Sequence, residues 1–130
     1  MSLGCRLILM MRLALIVEDE MPLRELYESV LSKLGFEVIH ATDGIEGINI
    51  LTNYSPDVVF LDMLLPRVDG RQVLDYIQST PRLAHTVTVV VTAHSRYRNL
   101  LPLTPQDQFL LKPIRPHDIE TAVQRVLAAH

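Results

Sequence analysis

The chain has 130 residues, of which 48% are hydrophobic, and a formal net charge of −3, so it is long enough for one domain with its own core. Its 12 Lys and Arg residues are scattered without forming a run, which argues against direct binding of nucleic acid. The single cysteine, Cys5, cannot form a disulfide within the chain, which favours a reducing compartment and therefore the cytoplasm.

The first residues are apolar but do not predict a membrane helix. Arg6 and Arg12 interrupt the stretch, and its uncharged parts are shorter than the roughly 20 residues that a membrane span needs. No small-residue cleavage site precedes the acidic residues that follow, which argues against a secretory signal. We predict that residues 1–11 are an N-terminal extension and that residues 12–130 form the domain.

Short apolar runs that are rich in β-branched residues and bounded by turn formers predict five β-strands. The runs are RLALIV (12–17), FEVIHA (36–41), DVVFL (57–61), TVTVVV (86–91) and QFLL (108–111).

Segments with helical spacing alternate with these strands. Between the first two strands, apolar residues repeat at spacings of three and four over residues 23–34 and end at Gly35, which suits a helix C-terminus. The last segment repeats the pattern over 119–127, and weaker versions cover about 43–53 and 70–79. Strands that alternate with helices predict an α/β fold, a mainly parallel sheet with helices on both faces.

The segment 94–108 departs from this alternation. It should contain the helix between the fourth and fifth strands, but Pro102 and Pro105 would interrupt any helix longer than about two turns. We therefore predict that the fourth helix is short or irregular.

Polar residues follow four of the strands at the point where each strand ends. They are Glu18 and Asp19, Asp62, Thr92 and Lys112. Ligands of an open parallel sheet bind at the carboxyl ends of its strands, so these side chains are expected to share one rim. Neighbouring carboxylates favour a bound cation, and Mg²⁺ prefers oxygen ligands while keeping part of its water. Because an ammonium and a hydroxyl group can contact phosphate oxygens, the pattern predicts a site for phosphoryl chemistry.

These residues resemble the receiver domain of two-component response regulators, over roughly residues 12–129. Each fragment is weakly specific alone, whereas the full set in order, at strand ends within one alternating pattern, is strongly specific. The resemblance implies a flavodoxin-like, doubly wound sheet with strand order 2-1-3-4-5. The fragments are Glu18-Asp19, LDMLLPRVDG with Asp62, Pro66 and Gly70, VTA with Thr92, and FLLKP with Phe109, Lys112 and Pro113.

The resemblance also implies roles for the site residues. Asp62 would accept a phosphoryl group from a phosphohistidine of a histidine kinase or phosphotransfer protein. Asp19, Asp62 and the backbone carbonyl of Leu64 would hold Mg²⁺, and Glu18 would act near the metal through water. Lys112 would neutralise charge on the phosphoryl oxygens, with the protein mainly positioning the reacting groups.

By the same resemblance, Thr92 and Phe109 would form a switch. Thr92 would bond the new phosphoryl oxygens and Phe109 would change rotamer, which would alter the surface that an output partner contacts. A cis peptide bond between Lys112 and Pro113 is also implied. The output partner is not specified by these residues, a homodimer remains open, and neither nucleic acid nor a membrane is expected as a direct partner.

Two further functions remain open. A receiver-like interaction module would work without phosphorylation, a hypothesis that the unusual segment 94–108 motivates. A small phosphatase of the haloacid dehalogenase type is the other alternative, since such enzymes also have a nucleophilic Asp after a strand. It is disfavoured because those enzymes need a second Asp two residues later, where this chain has Leu64. Any enzymatic activity would be limited to self-catalysed phosphotransfer and dephosphorylation.

Overall fold

A five-stranded parallel sheet forms the centre of the molecule. The computed structural model describes residues 12–65 and 67–129, so the predicted extension of residues 1–11 lies outside the described residues. The strand order is β2-β1-β3-β4-β5, with every neighbouring pair parallel. The strands are β1 (Arg12–Val17), β2 (Phe36–Ala41), β3 (Val58–Leu61), β4 (Val87–Thr92) and β5 (Gln108–Leu111).

Helices connect the strands and cover both faces of the sheet. The described residues form the helices α1 (Met21–Lys33), α2 (Gly44–Leu51), α3 (Gly70–Ser79) and α4 (Pro116–Ala129). The predicted α/β class, the doubly wound topology and the order 2-1-3-4-5 are confirmed. Among the described residues, none of the helices has the length and apolar character that crossing a membrane requires.

The core is divided into two layers by the sheet. Successive residues of a strand point to opposite faces, so each buried strand contributes to both layers. In one layer, strand residues pack against α1 and α4, and in the other they pack against α2 and α3. The first layer includes Ala14, Ile16, Tyr27, Leu31, Phe60, Ile119 and Val123, and the second includes Leu15, Val17, Leu51, Leu61, Val73 and Leu74.

The connection between β4 and β5 has no α-helix. A 3₁₀ turn, Ser95–Asn99, takes its place, which confirms the prediction of a short or irregular element. The rest of the connection is held by Asp107, whose carboxylate accepts hydrogen bonds from the backbone N–H of Thr88 at 2.9 Å and of Thr104 at 3.0 Å. The segment is therefore anchored to the start of β4 although it lacks a helix.

Candidate functional site

The two buried acids of the site lie where neighbouring strands end. Glu18 follows β1 and Asp62 follows β3, and their exposed fractions are only 1% and 6%. Because β1 and β3 are adjacent and parallel, their carboxyl ends meet at the same edge of the sheet. Burying two carboxylates costs free energy of desolvation unless a nearby positive charge or hydrogen-bond donors offset it.

Lys112 supplies that compensation. Its ammonium nitrogen lies 2.9 Å from Glu18 Oε1 and 3.1 Å from Asp62 Oδ2, and 3.9 Å from Glu20 Oε1. Its backbone N–H donates to the carbonyl of Thr92 at 2.9 Å, which joins the end of β5 to the end of β4. The structure thus places Glu18 and Asp62 in direct contact with Lys112, on the shared rim that the sequence predicts.

The protonation of Glu18 is shifted by its surroundings. Burial raises its pKa from 4.5 to about 7, although the hydrogen bond from Lys112 opposes the shift, and the negative charge of Asp62 adds to it. Burial tends to lower the pKa of Lys112, but its hydrogen bond to Glu18 and the charge of Asp62 outweigh burial and raise that pKa. At neutral pH the lysine is therefore charged, while Glu18 is partly protonated.

Three consecutive acids after β1, including Glu18 itself, could hold a metal ion next to Lys112. Glu18, Asp19 and Glu20 each offer a carboxylate oxygen, and these oxygens lie within 4.8 Å of one another. Asp19 and Glu20 are exposed, and the backbone N–H of Glu20 donates to Glu18 Oε2 at 3.2 Å. Oxygen ligands that leave part of the coordination sphere open to water fit Mg²⁺. Sequence reasoning missed Glu20, and the signal that could have found it is its place as the third acid of EDE.

The loop between β3 and α3 shapes the environment of Asp62. Asp62 Oδ1 accepts a hydrogen bond from the backbone N–H of Leu64 at 3.1 Å, so both of its oxygens have partners. A Cβ atom at Gly70 would lie 2.3 Å from the Asp62 carbonyl oxygen, so only glycine allows the start of α3 to approach this closely. The loop therefore returns directly onto the end of β3.

The two predicted switch residues lie at the end of β4 and in β5. Thr92 is fully buried, and its hydroxyl oxygen accepts a hydrogen bond from the backbone N–H of His94 at 3.3 Å. Phe109 is half-buried, with the guanidinium of Arg98 4.7 Å from its ring centroid. The Lys112–Pro113 bond is cis, as the resemblance implies.

Comparison with known proteins agrees with this geometry. The family model of the response regulator receiver domain matches residues 14–124. The phosphate regulon transcriptional regulatory protein PhoB of Escherichia coli (strain K12) is 31% identical over 122 residues, which cover 91% of this chain and 52% of PhoB. The probable transcriptional regulator ycf27 of Guillardia theta is 31% identical over 115 residues, which cover 87% of this chain and 44% of that protein. The chain spans about half the length of these curated relatives.

Solved structures show the same fold. The signal receiver domain of a signal transduction histidine kinase from Syntrophus aciditrophicus has a TM-score of 0.81 and 26% identity, with 91% of each chain covered. The receiver domain of sensor histidine kinase PA1611 from Pseudomonas aeruginosa PAO1 has a TM-score of 0.79 and 24% identity, with 91% of this chain and 98% of that chain covered. That receiver domain has a magnesium ion coordinated in its active-site cleft.

Proposed function

The chain belongs to the family of response regulator receiver domains of two-component systems, and on that premise we propose that Asp62 is its phosphoacceptor. The observation that carries the proposal is the contact of 3.1 Å between Lys112 Nζ and Asp62 Oδ2, at a buried position next to a cluster of carboxylates. The ammonium group of Lys112 donates a hydrogen bond to this buried side chain, and the carboxylate of an aspartate can act as a nucleophile.

The proposed reaction moves one phosphoryl group. A carboxylate oxygen of Asp62 attacks the phosphorus of a phosphohistidine on a histidine kinase or phosphotransfer protein. The phosphorus–oxygen bond forms as the phosphorus–nitrogen bond breaks, and the imidazole leaves with the electron pair and takes up a proton. The product is an acyl phosphate on Asp62. Since the transition state is loose, the residues act mainly by positioning and by neutralising charge. Lys112, whose Nζ lies 3.1 Å from Asp62 Oδ2, would donate to an incoming phosphoryl oxygen.

Mg²⁺ is the cofactor that we propose for this site. Asp19, Asp62 and the backbone carbonyl of Leu64 would hold it, and Glu18 would act through water. Glu20 adds a further carboxylate within 4.8 Å of the oxygens of Glu18 and Asp19. When bound, the ion supplies positive charge that neutralises the phosphoryl oxygens. The dense group of carboxylates supports this proposal, as does the magnesium ion in the cleft of the receiver domain of PA1611.

We propose that the signal leaves the site through Thr92 and Phe109. Thr92 would bond the phosphoryl oxygens, and Phe109 would change rotamer in response. The proposal concerns the domain of residues 12–130, preceded by an extension of residues 1–11, in the cytoplasm. The phosphoryl donor would be a histidine kinase or phosphotransfer protein, and the domain would act on an output partner, or on a second copy of itself, without contacting nucleic acid or membrane.

Mass spectrometry of the intact protein tests this function. After incubation with Mg²⁺ and acetyl phosphate, the chain should gain the mass of one phosphoryl group, and Asp62→Asn should prevent the gain. Asp75→Asn is the matched control, because Asp75 is an exposed acid on α3 that pairs with Arg71. The proposal is wrong if the unmodified chain gains no mass, or if the gain persists in Asp62→Asn.

A second candidate is an interaction module that works without phosphorylation. The observation that favours it is the 3₁₀ turn Ser95–Asn99, which replaces a helix next to the exposed side chain of Leu100. In that case a binding partner would have the same affinity for the chain with and without a phosphoryl mimic on Asp62. A change in affinity would eliminate this candidate.

A further inference from the structure

We infer that Arg67 is a positioning residue, which ties the loop between β3 and α3 to the start of α2 so that the loop can present its oxygens to Mg²⁺. This inference rests on the proposed function, because the loop contains the backbone carbonyl of Leu64. Arg67 would act through the loop and would not touch the metal.

An ion pair makes the connection. Arg67 Nε donates to Asp43 Oδ2 at 3.1 Å, and Arg67 Nη2 donates to the same oxygen. The other oxygen of Asp43 accepts from the backbone N–H of Glu46 at 2.8 Å and so caps α2. The hydrogen bond from Glu46 and the one from Arg67 hold the pKa of Asp43 below its usual value, so the carboxylate is charged at neutral pH. Both oxygens of Asp43 are therefore in use, one for the helix and one for the loop.

The backbone of Arg67 indicates that the side chain has a role. Its φ angle is +63°, a left-handed conformation that glycine or asparagine adopts more easily than arginine. A residue in such a conformation persists when the surrounding structure requires it, and such residues cluster at functional sites. From this conformation the guanidinium group of Arg67 bonds Asp43.

Gly44 and Val68, the residues next to Asp43 and Arg67, also bring the start of α2 and the loop together. A Cβ atom at Gly44 would lie 2.0 Å from the carbonyl oxygen of Val68, so the loop rests directly on the first residue of α2. The loop is thus held at its middle by Asp43 and Gly44. It is held at its ends by Asp62 and by the close approach of Gly70 to the Asp62 carbonyl.

Loss of the tether and loss of charge have opposite effects on metal binding. Removal of a cationic side chain near an acidic site should strengthen Mg²⁺ binding, because one repulsive interaction disappears. Release of the loop should weaken binding, because the backbone carbonyl of Leu64 would no longer be held in place. The sign of the change in affinity therefore separates the two effects.

Calorimetric titration with Mg²⁺ alone is the test, with Arg67→Asn as the variant. Asparagine tolerates the left-handed backbone, so the fold and the melting temperature without metal should be unchanged or improved. We expect the dissociation constant for Mg²⁺ to rise on the order of tenfold, the low end for loss of a residue that supports metal ligands. Arg71→Ala removes the same charge from the neighbouring helix and breaks only the exposed pair with Asp75, so its affinity should be unchanged or slightly tighter.

The second variant, Asp43→Asn, removes the negative charge of the ion pair and leaves Arg67 in place. Asparagine is as good a helix cap as aspartate, so α2 should be preserved while the charge that holds Arg67 is lost. In the double variant with Arg67→Asn, the loss of Mg²⁺ affinity should be smaller than the sum of the two single losses, because both remove the same interaction.

The outcomes distinguish this inference from the proposed function. If the unmodified chain binds Mg²⁺ and Arg67→Asn binds it equally well or more tightly, Arg67 is not a positioning residue, and the proposed function stands. If the unmodified chain binds no Mg²⁺, the proposed cofactor is wrong and the inference fails with it. A melting temperature that falls in parallel with the affinity would show that Arg67 has only a structural role.

Discussion

Lys112 Nζ lies 2.9 Å from Glu18 Oε1, so the lysine that follows the last strand is paired with the buried acid that follows the first strand. The same ammonium contacts Asp62 at 3.1 Å. One cation therefore lies between two buried carboxylates and offsets the repulsion between them.

Lys112→Met should separate metal binding from phosphoryl transfer. The methionine side chain has most of the volume of lysine but no charge beside Asp62. We therefore expect the rate of phosphorylation by acetyl phosphate to fall about 100-fold. Mg²⁺ should bind at least as tightly, because a competing cation has gone. Rates come from intact-mass time courses and affinities from calorimetry. Lys33→Met, at the exposed end of α1, is the control, and an unchanged rate in Lys112→Met would contradict the prediction.

Magnesium binding should weaken as the pH falls below about 7, the pKa to which burial raises Glu18. A proton on Glu18 must leave before its carboxylate can support a cation, so binding should release protons near neutral pH. Titrations in buffers of different ionisation enthalpy measure this release. Glu18→Gln should show a flatter pH dependence, and an equal dependence in both proteins would refute the assignment to Glu18.

The stability of the metal-free protein should fall as the pH rises from 4.5 to about 7. The folded state holds a proton on Glu18 over this range while the unfolded state has lost it, so deprotonation favours unfolding. The groups that face Glu18 are Lys112, Asp62 and the backbone N–H of Glu20, and Lys112 titrates above this window. Urea unfolding at several pH values gives the slope, which should be smaller in Glu18→Gln. A slope that Glu18→Gln leaves unchanged would assign the effect to other groups.

Thr92→Val should leave phosphorylation of Asp62 in place but remove the response to it. Valine has a similar shape but cannot donate a hydrogen bond to a phosphoryl oxygen. It also cannot accept the hydrogen bond from the backbone N–H of His94, and the loss of that bond should cost about 1 kcal/mol of stability. NMR spectra with and without a beryllofluoride phosphoryl mimic should show smaller shift changes in β4 and β5 than in the unmodified chain. Thr88→Val, also buried in β4 but at its other end, is the control, and it should respond fully.

Gly70→Ala should damage the site through the backbone. The new Cβ would meet the Asp62 carbonyl oxygen at 2.3 Å and the Met63 Cα at 2.6 Å, so the loop must move. We expect a loss of about 1–3 kcal/mol in unfolding free energy, typical of overpacking, together with weaker Mg²⁺ binding. Gly47→Ala is the control, because its Cβ would meet side-chain atoms of Val17 and Ala41, the nearest at 3.2 Å, and alanine favours the helix. Equal losses in both variants would contradict this prediction.

The amino-acid sequence determined the elements and their order. Strands of β-branched residues and helices of regular apolar spacing depend on interactions between neighbouring residues, so the local pattern was sufficient to predict them. Among the strands, the prediction for β4 was the least accurate. The predicted range was 86–91, whereas the strand is Val87–Thr92, so Thr92 is its last residue. Pro102 and Pro105 also predicted a short or irregular fourth helix, and the structure has a 3₁₀ turn there.

Only the tertiary structure decided which polar groups touch. Lys112 bonds Glu18 as well as Asp62, Glu20 joins the acidic cluster, and Arg67 reaches back to Asp43. Each contact depends on the rotamer of a long side chain or on the path of a loop, and these are set by packing between segments far apart in the sequence. Local periodicity contains no information about such distances. The edge of the sheet could therefore be predicted from the sequence, whereas the ion pairs that control its charge could not.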